Sequence, residues 1–315
     1  MALLSLLVSD WERETPQKNA TPIMYCALGL LQDKQLCRNS LATFTLQCLA
    51  HLASASSETA TTLFRIGAWG LVQTLVQLLM THQGDSNHNT ELVLVVLIKL
   101  CQSELSARAV MATGFLSVAP GLLQDQEESI LILTCKLLTK LVHTTSHNAN
   151  ATQCLLHQMI DSQAVSALVA VAQCRQWRIR KRALETCCTL VLANTTTEQM
   201  DDLLQHYNIL ELLVDGLFVK IDNNIILKAL HALQHILQTP GTCRLLMIDQ
   251  YGGLDQLQYL KEHSDPAIVD KAEQVLELTQ DEEETTEETA SWTSEEARQR
   301  CYSPLCYRYD QEDFA

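Results

Sequence analysis

The sequence predicts an all-α protein, a right-handed solenoid of about six stacked three-helix repeats over residues 1–280, followed by a disordered acidic tail at 281–315. Three observations predict it. The chain of 315 residues is 47% hydrophobic but only 5% aromatic, and its 10 Gly and 6 Pro are too few turn-formers for a sandwich or barrel of this length. A short leucine-rich segment recurs five times behind a junction residue. The longer segments between these carry their apolar residues at helical spacing.

The junctions are Gly70, Gly114, Gln163, Asn208 and Gly253, separated by 44, 49, 45 and 45 residues. Glycine and asparagine fill four of the five, and both tolerate the left-handed backbone that ends one helix before a sharp turn into the next. Each leucine-rich helix, such as 70–79, is followed by a polar turn and a longer amphipathic helix. In Asn223–Gln238, Ile226, Leu230, Leu233 and Leu237 form a stripe at i, i+4, i+7 and i+11, while Lys228, His231, Gln234 and Gln238 face away. A short helix before the next junction, as at Thr196–His206 or Gly241–Gln250, completes a triplet. Residues Thr21–Lys34 and Cys37–Ala53 read as one further unit. A period near 45 residues is that of armadillo and HEAT arrays. Triplets of this kind cannot bury their stripes alone, so they stack and leave one concave face, whose usual ligand is an extended peptide.

Charge and cysteine usage narrow the function classes. The net charge is −15, and residues 281–315 hold 11 acids against Arg298, Arg300 and Arg308. So acidic a chain has no general attraction for nucleic acid or anionic membrane, and protein partners, basic ones among them, are expected. No apolar run reaches the roughly 20 residues of a membrane span. The 12 cysteines lie scattered in apolar helical stretches, without framework spacing, and read as buried thiols of a reducing compartment. A cytoplasmic or nuclear location follows as an expectation.

Residues 178–278 resemble the final three repeats of importin-α, the adaptor that carries nuclear localisation signals. The resemblance rests on Arg180-Lys-Arg-Ala-Leu-Glu185, Asn208-Ile-Leu-Glu-Leu-Leu213, Lys228-Ala-Leu-His-Ala-Leu-Gln-His-Ile-Leu237 and the closing Tyr251-Gly-Gly-Leu-Asp255, with the acidic run from Asp281 standing where that family has an acidic tail. It implies an armadillo-type fold and a protein-binding adaptor with a role in nuclear import. Two departures stand out. Residues 1–36 hold only Arg13, Lys18 and Lys34 where the family has an Arg/Lys-rich segment for importin-β, which speaks against importin-β binding. The family also lines its groove with Trp and Asn four residues apart on the third helices, and no Trp-x-x-x-Asn occurs here. An armadillo scaffold organising a cytoplasmic, adhesion or ciliary complex is the alternative.

The most charged local feature is Arg175-Gln-Trp-Arg-Ile-Arg-Lys-Arg182. Arg178, Arg180, Lys181 and Arg182, with Lys228 and His231 on the next long helix, are the candidate partner-binding residues. His231 and His235 share one helix face at a spacing that can share a metal, but Ala232 stands where a metalloprotease helix carries Glu, and no third ligand can be named. No phosphate loop, nucleophile elbow or dinucleotide fingerprint is present, so neither an enzyme nor a cofactor is expected. The final Cys301–Phe314 stretch is the more aromatic part of the tail and reads as either a docking motif or a solubilising end.

Overall fold

The computed structural model describes residues 26–32, 40–55, 57–81, 87–193, 196–239 and 248–289. The expectations for residues 1–25, for most of 241–250 and for the tail beyond 289 lie outside them. All described elements are helices: α1 (26–32), α2 (Ser40–Ala55), α3 (Ser57–Thr81), α4 (Asn87–Leu100), α5 (Glu104–Ala112), α6 (Phe115–Leu122) and α7 (Glu128–Thr145). There follow α8 (Ala149–Asp161), α9 (Ala164–Ala172), α10 (Trp177–Val191), α11 (Thr197–His206), α12 (Ile209–Leu217), α13 (Asn223–Gln238), α14 (Gly253–Leu260) and α15 (Pro266–Thr289).

Local chemistry sets the helix starts. Ser103 with Ser106 and Thr196 with Gln199 close capping boxes on α5 and α11, and Asn148 and Asp222 accept from Ala151 and Asn224 at the starts of α8 and α13. Each such cap satisfies an orphan backbone donor and is worth about 1 kcal/mol.

The first-to-second helix turns use left-handed residues. Gly114 (φ 86°), Gln163 (φ 63°), Asn208 (φ 52°) and Gly252 (φ 72°) immediately precede α6, α9, α12 and α14. The turns at Gly114 and Gln163 each bend the chain by 77°. Two junction assignments are thereby corrected. The left-handed residue of the last unit is Gly252, and Gly253 serves packing instead, since a Cβ there would stand 2.6 Å from Ile248 Cγ2 and 2.8 Å from the Ile248 carbonyl. Gly70 is no junction: it lies inside α3, which fuses a first and a second helix into one rod of 25 residues. Nothing stands within 4 Å of a Cβ built there. Glycine alone does not break a helix; it only weakens one.

Packing sorts the helices into three rows. The third helices α2, α4, α7, α10, α13 and α15 pack side by side in that order. The second helices form a parallel row through α3, α6, α9, α12 and α14, and the first helices another through α3, α5 and α8. One continuous core of Leu, Val, Ile and Ala runs between them. Leu97, Leu138, Leu141, Leu213 and Leu233 are wholly inaccessible, each worth roughly 1.5–3 kcal/mol relative to exposure. The last helix continues to Thr289, past the expected domain end at 280. Helix propagation adds one hydrogen bond per residue without a new nucleus, and Glu is a good helix former, so the acidic run extends α15.

Candidate functional site: the third-helix face

Burial along the third helices repeats with one register. Val93, Leu94, Val96 and Leu97 on α4 match Thr134, Cys135, Leu137 and Leu138 on α7, and likewise Ala183, Leu184, Thr186 and Cys187 on α10 and Ala229, Leu230, Ala232 and Leu233 on α13, all buried. Positions two and six beyond the first of each set therefore lie on the opposite side of the helix. These pairs, four residues apart, are Val95/Lys99, Lys136/Lys140, Glu185/Thr189 and His231/His235. The same register gives Gln47/His51 on α2 and Gln274/Leu278 on α15. Gln47, His51, Lys136, His231 and Gln274 are exposed, and the other members are half-buried except Glu185. Two parallel ladders thus run along the row, and neither carries Trp paired with Asn.

Polar contacts join successive third helices beside the ladders. Thr43 donates to Asn89 Oδ1 at 2.7 Å, the Thr139 and Thr186 hydroxyls meet at 2.9 Å, and Asn223 Nδ2 donates to Asp265 Oδ2 at 3.0 Å. Ser129 donates to Glu91, and Lys271 to Gln234.

The candidate cations join this stapling. Arg182 Nη1 lies 2.7 Å from Glu185 Oε2 and Lys228 Nζ lies 3.0 Å from Glu185 Oε1. Lys181 Nζ meets Asp222 Oδ2 at 2.5 Å, Arg180 Nη2 stands 3.5 Å from Asp215, and Arg178 Nη1 lies 3.1 Å from Glu128. Asp222 is also the N-cap of α13, so one carboxylate starts a helix and ties it to the previous repeat. Arg178, at 81% side-chain exposure, is the most open of the five, whereas Arg180 is at 13%. His231 is exposed, with Nδ1 2.7 Å from the Leu227 carbonyl.

The six residues lie on α10 and α13 but not on one face: Glu185 gathers Arg182 and Lys228, whereas Arg178 turns to Glu128 on α7 and Arg180 to Asp215 on α12, so the basic run is matched by carboxylates from its own and neighbouring repeats. Sequence reasoning did not single out Lys99, Lys136 and Lys140. All three stand on the ladders, and among the described residues none has an ion pair within 4.0 Å. The spacing of Lys136 and Lys140, opposite the buried stripe of α7, is the signal that would have found them.

Burial raises the pKa of the core thiols. Cys101, Cys135 and Cys188 are pushed up to about 12, and Cys187 is raised well above the usual thiol range. They are packing groups with no thiolate at neutral pH. Among the described residues no group of three or more His, Cys, Asp or Glu is placed to hold a metal, and no single helix is long and apolar enough to cross a membrane.

Helical triplets stacked in three rows, with left-handed turns between first and second helices, define an armadillo-type α-solenoid. Solved structures agree. A designed armadillo repeat protein in complex with the peptide (KR)4 superposes with a TM-score of 0.67 at 20% identity, covering 82% of this chain and 99% of that one. Computationally designed armadillo repeat proteins for modular peptide recognition give 0.67 at 19% identity, over 80% and 98%. An engineered protein, a structural-genomics target, gives 0.66 at 21%, over 81% and 98%. No protein-family model matches the sequence. No curated protein matches it either.

Proposed function

We propose that this chain is a non-catalytic protein-binding adaptor that holds an extended peptide or a partner helix along its third-helix face. The observation that carries the reading is the ladder register: two outward positions, four residues apart, repeated on six successive parallel helices. Such a track meets an extended chain at regular intervals while its own backbone stays in helical hydrogen bonds. A divergent importin-α-like role in nuclear protein import, with a cytoplasmic and nuclear distribution, is the finer form of this proposal. Its support is the Gly252-Gly-Leu-Asp255 closing unit and the acidic run that follows.

A scaffold holding a cytoplasmic, adhesion or ciliary complex is the second reading, favoured by ladder positions that carry Lys, His, Glu and Thr instead of Trp and Asn. A quantitative pull-down separates the two. The full chain is compared with a third-helix variant, Thr189→Arg plus His231→Glu, and with His157→Glu on α8 of the first-helix row. Partners lost only from the third-helix variant support the adaptor, and transport factors among them support import. Loss confined to His157→Glu would overturn the assignment of the face. Recovery of cytoskeletal, ciliary or adhesion proteins alone would sink the import form.

A further inference from the structure

We infer that the third-helix face selects an acidic extended peptide from a partner protein, with Lys99, Lys136 and Lys140 as the residues that read its carboxylates. The inference rests on the adaptor reading and names the chemistry of its ligand.

Charge is segregated within the fold. The chain carries −15 overall, yet helices α4, α7, α10 and α13 together hold eight Lys or Arg against three acids. The acids are spent on stapling: Glu128 and Glu185 take Arg178, Arg182 and Lys228, and Glu91 accepts from Ser129. Asp215 and Asp222, from the neighbouring helix and turn, take Arg180 and Lys181. Among the described residues Lys99, Lys136 and Lys140 remain without an ion pair, on adjacent third helices.

Their placement suits an extended chain. Lys136 and Lys140 lie one helical turn apart on α7, about 6 Å between Cβ atoms. α7, which carries them, packs directly against α4, which carries Lys99. Neighbouring packed helices are about 8–10 Å apart, and an extended peptide advances about 3.4 Å per residue. Carboxylates two or three residues apart therefore meet the cations of α4 and α7 in turn. Beyond them Thr189, whose hydroxyl donates to the Glu185 carbonyl, and the exposed His231 continue the ladders with polar groups.

The other polyanion, nucleic acid, is disfavoured by the same charges. A nucleic-acid strand carries an unbroken run of charge past the three cations and into the acids of the rest of the chain, whereas a peptide presents carboxylates only where the lysines stand. A basic peptide of the (KR)4 kind would face uncompensated lysines and lose affinity to like-charge repulsion.

The test is fluorescence anisotropy on the full chain with three labelled probes of equal length: a peptide alternating Glu with Ser, a peptide alternating Lys with Arg, and a single-stranded RNA. The Glu peptide is expected to bind in a salt-dependent manner. Lys136→Gln plus Lys140→Gln is expected to weaken it roughly tenfold or more, while Arg65→Glu on α3 leaves it unchanged. The neutral glutamines keep the helix intact, and an unchanged melting temperature shows that binding, and not folding, was lost. Preference for the Lys-Arg peptide overturns the inference while leaving an adaptor. Equal or tighter binding of RNA overturns it as a phosphate surface. Binding of the Glu peptide that ignores the lysine substitutions overturns it as binding elsewhere. Failure of both peptides overturns the inference, and the adaptor reading falls with it only if the pull-down also recovers no partner through the third-helix face.

Discussion

Glu185 on α10 and Lys228 on α13 stand 3.0 Å apart across the boundary between two repeats, and the same carboxylate holds Arg182 of its own helix at 2.7 Å. Glu185 is only 9% exposed at its side chain, so its charge is tolerable because two cations and their hydrogen bonds compensate it. Glu185→Ala would leave both cations unmatched on a packed face and is expected to destabilise the chain by about 1–3 kcal/mol. Glu185→Gln, which keeps the acceptor, should cost less. Thermal melts of the two variants check this.

The junction residues give three substitutions whose effects differ in sign. Gly114→Ala puts a Cβ into a left-handed backbone and should cost about 1 kcal/mol. Gln163→Gly relieves that same penalty at φ 63° and should be neutral or stabilising by up to about 1 kcal/mol. Gly70→Ala, inside α3 with open space around it, should stabilise by roughly 0.5–1 kcal/mol. If Gly70 were a junction, its alanine variant would destabilise instead.

Cysteine chemistry should divide by burial. Under native conditions iodoacetamide is expected to label the exposed Cys26 and Cys154 and to spare Cys101, Cys135, Cys187 and Cys188 until the chain unfolds. Peptide mapping by mass spectrometry reads the order.

On α12, burial raises the pKa of Glu211, with the charge of Asp215 adding to it; burial also raises Asp215, opposed by Arg180. A carboxyl raised in the folded state binds protons that the unfolded chain has already released. Its stabilising contribution is present below the unfolded value and lost as pH rises through the folded one. Relative to Glu211→Gln, the wild type should therefore gain melting temperature on going from neutral into the mildly acidic carboxylate range. A difference independent of pH would contradict this.

The repeat and its rows were legible in the sequence because burial on a helix has a fixed period. Leucine spacing at Ile226, Leu230, Leu233 and Leu237 encodes one packed face directly. The fused α3 was not legible: a glycine in a leucine-rich run reads the same whether its backbone is left-handed, as at Gly114, or helical, as at Gly70. Nor were the ion pairs. The acids that occupy Arg178, Arg180 and Lys181 come from α7, α12 and the turn before α13, so a run that reads as a free basic patch is stapled by residues distant in the chain. The uncompensated lysines emerged only once neighbouring third helices could be set in register.

Site-specific photo-crosslinking tests most directly whether a partner lies along the third helices. A photoreactive residue is placed in turn at Lys136, Thr189 and His235, on three successive third helices, and at His157 on the first-helix row. If the third-helix face is the binding track, one continuous partner segment is captured at the first three positions, its crosslinked residues advancing in order along the row. Capture at His157 alone, or of unrelated segments at each third-helix position, would contradict it.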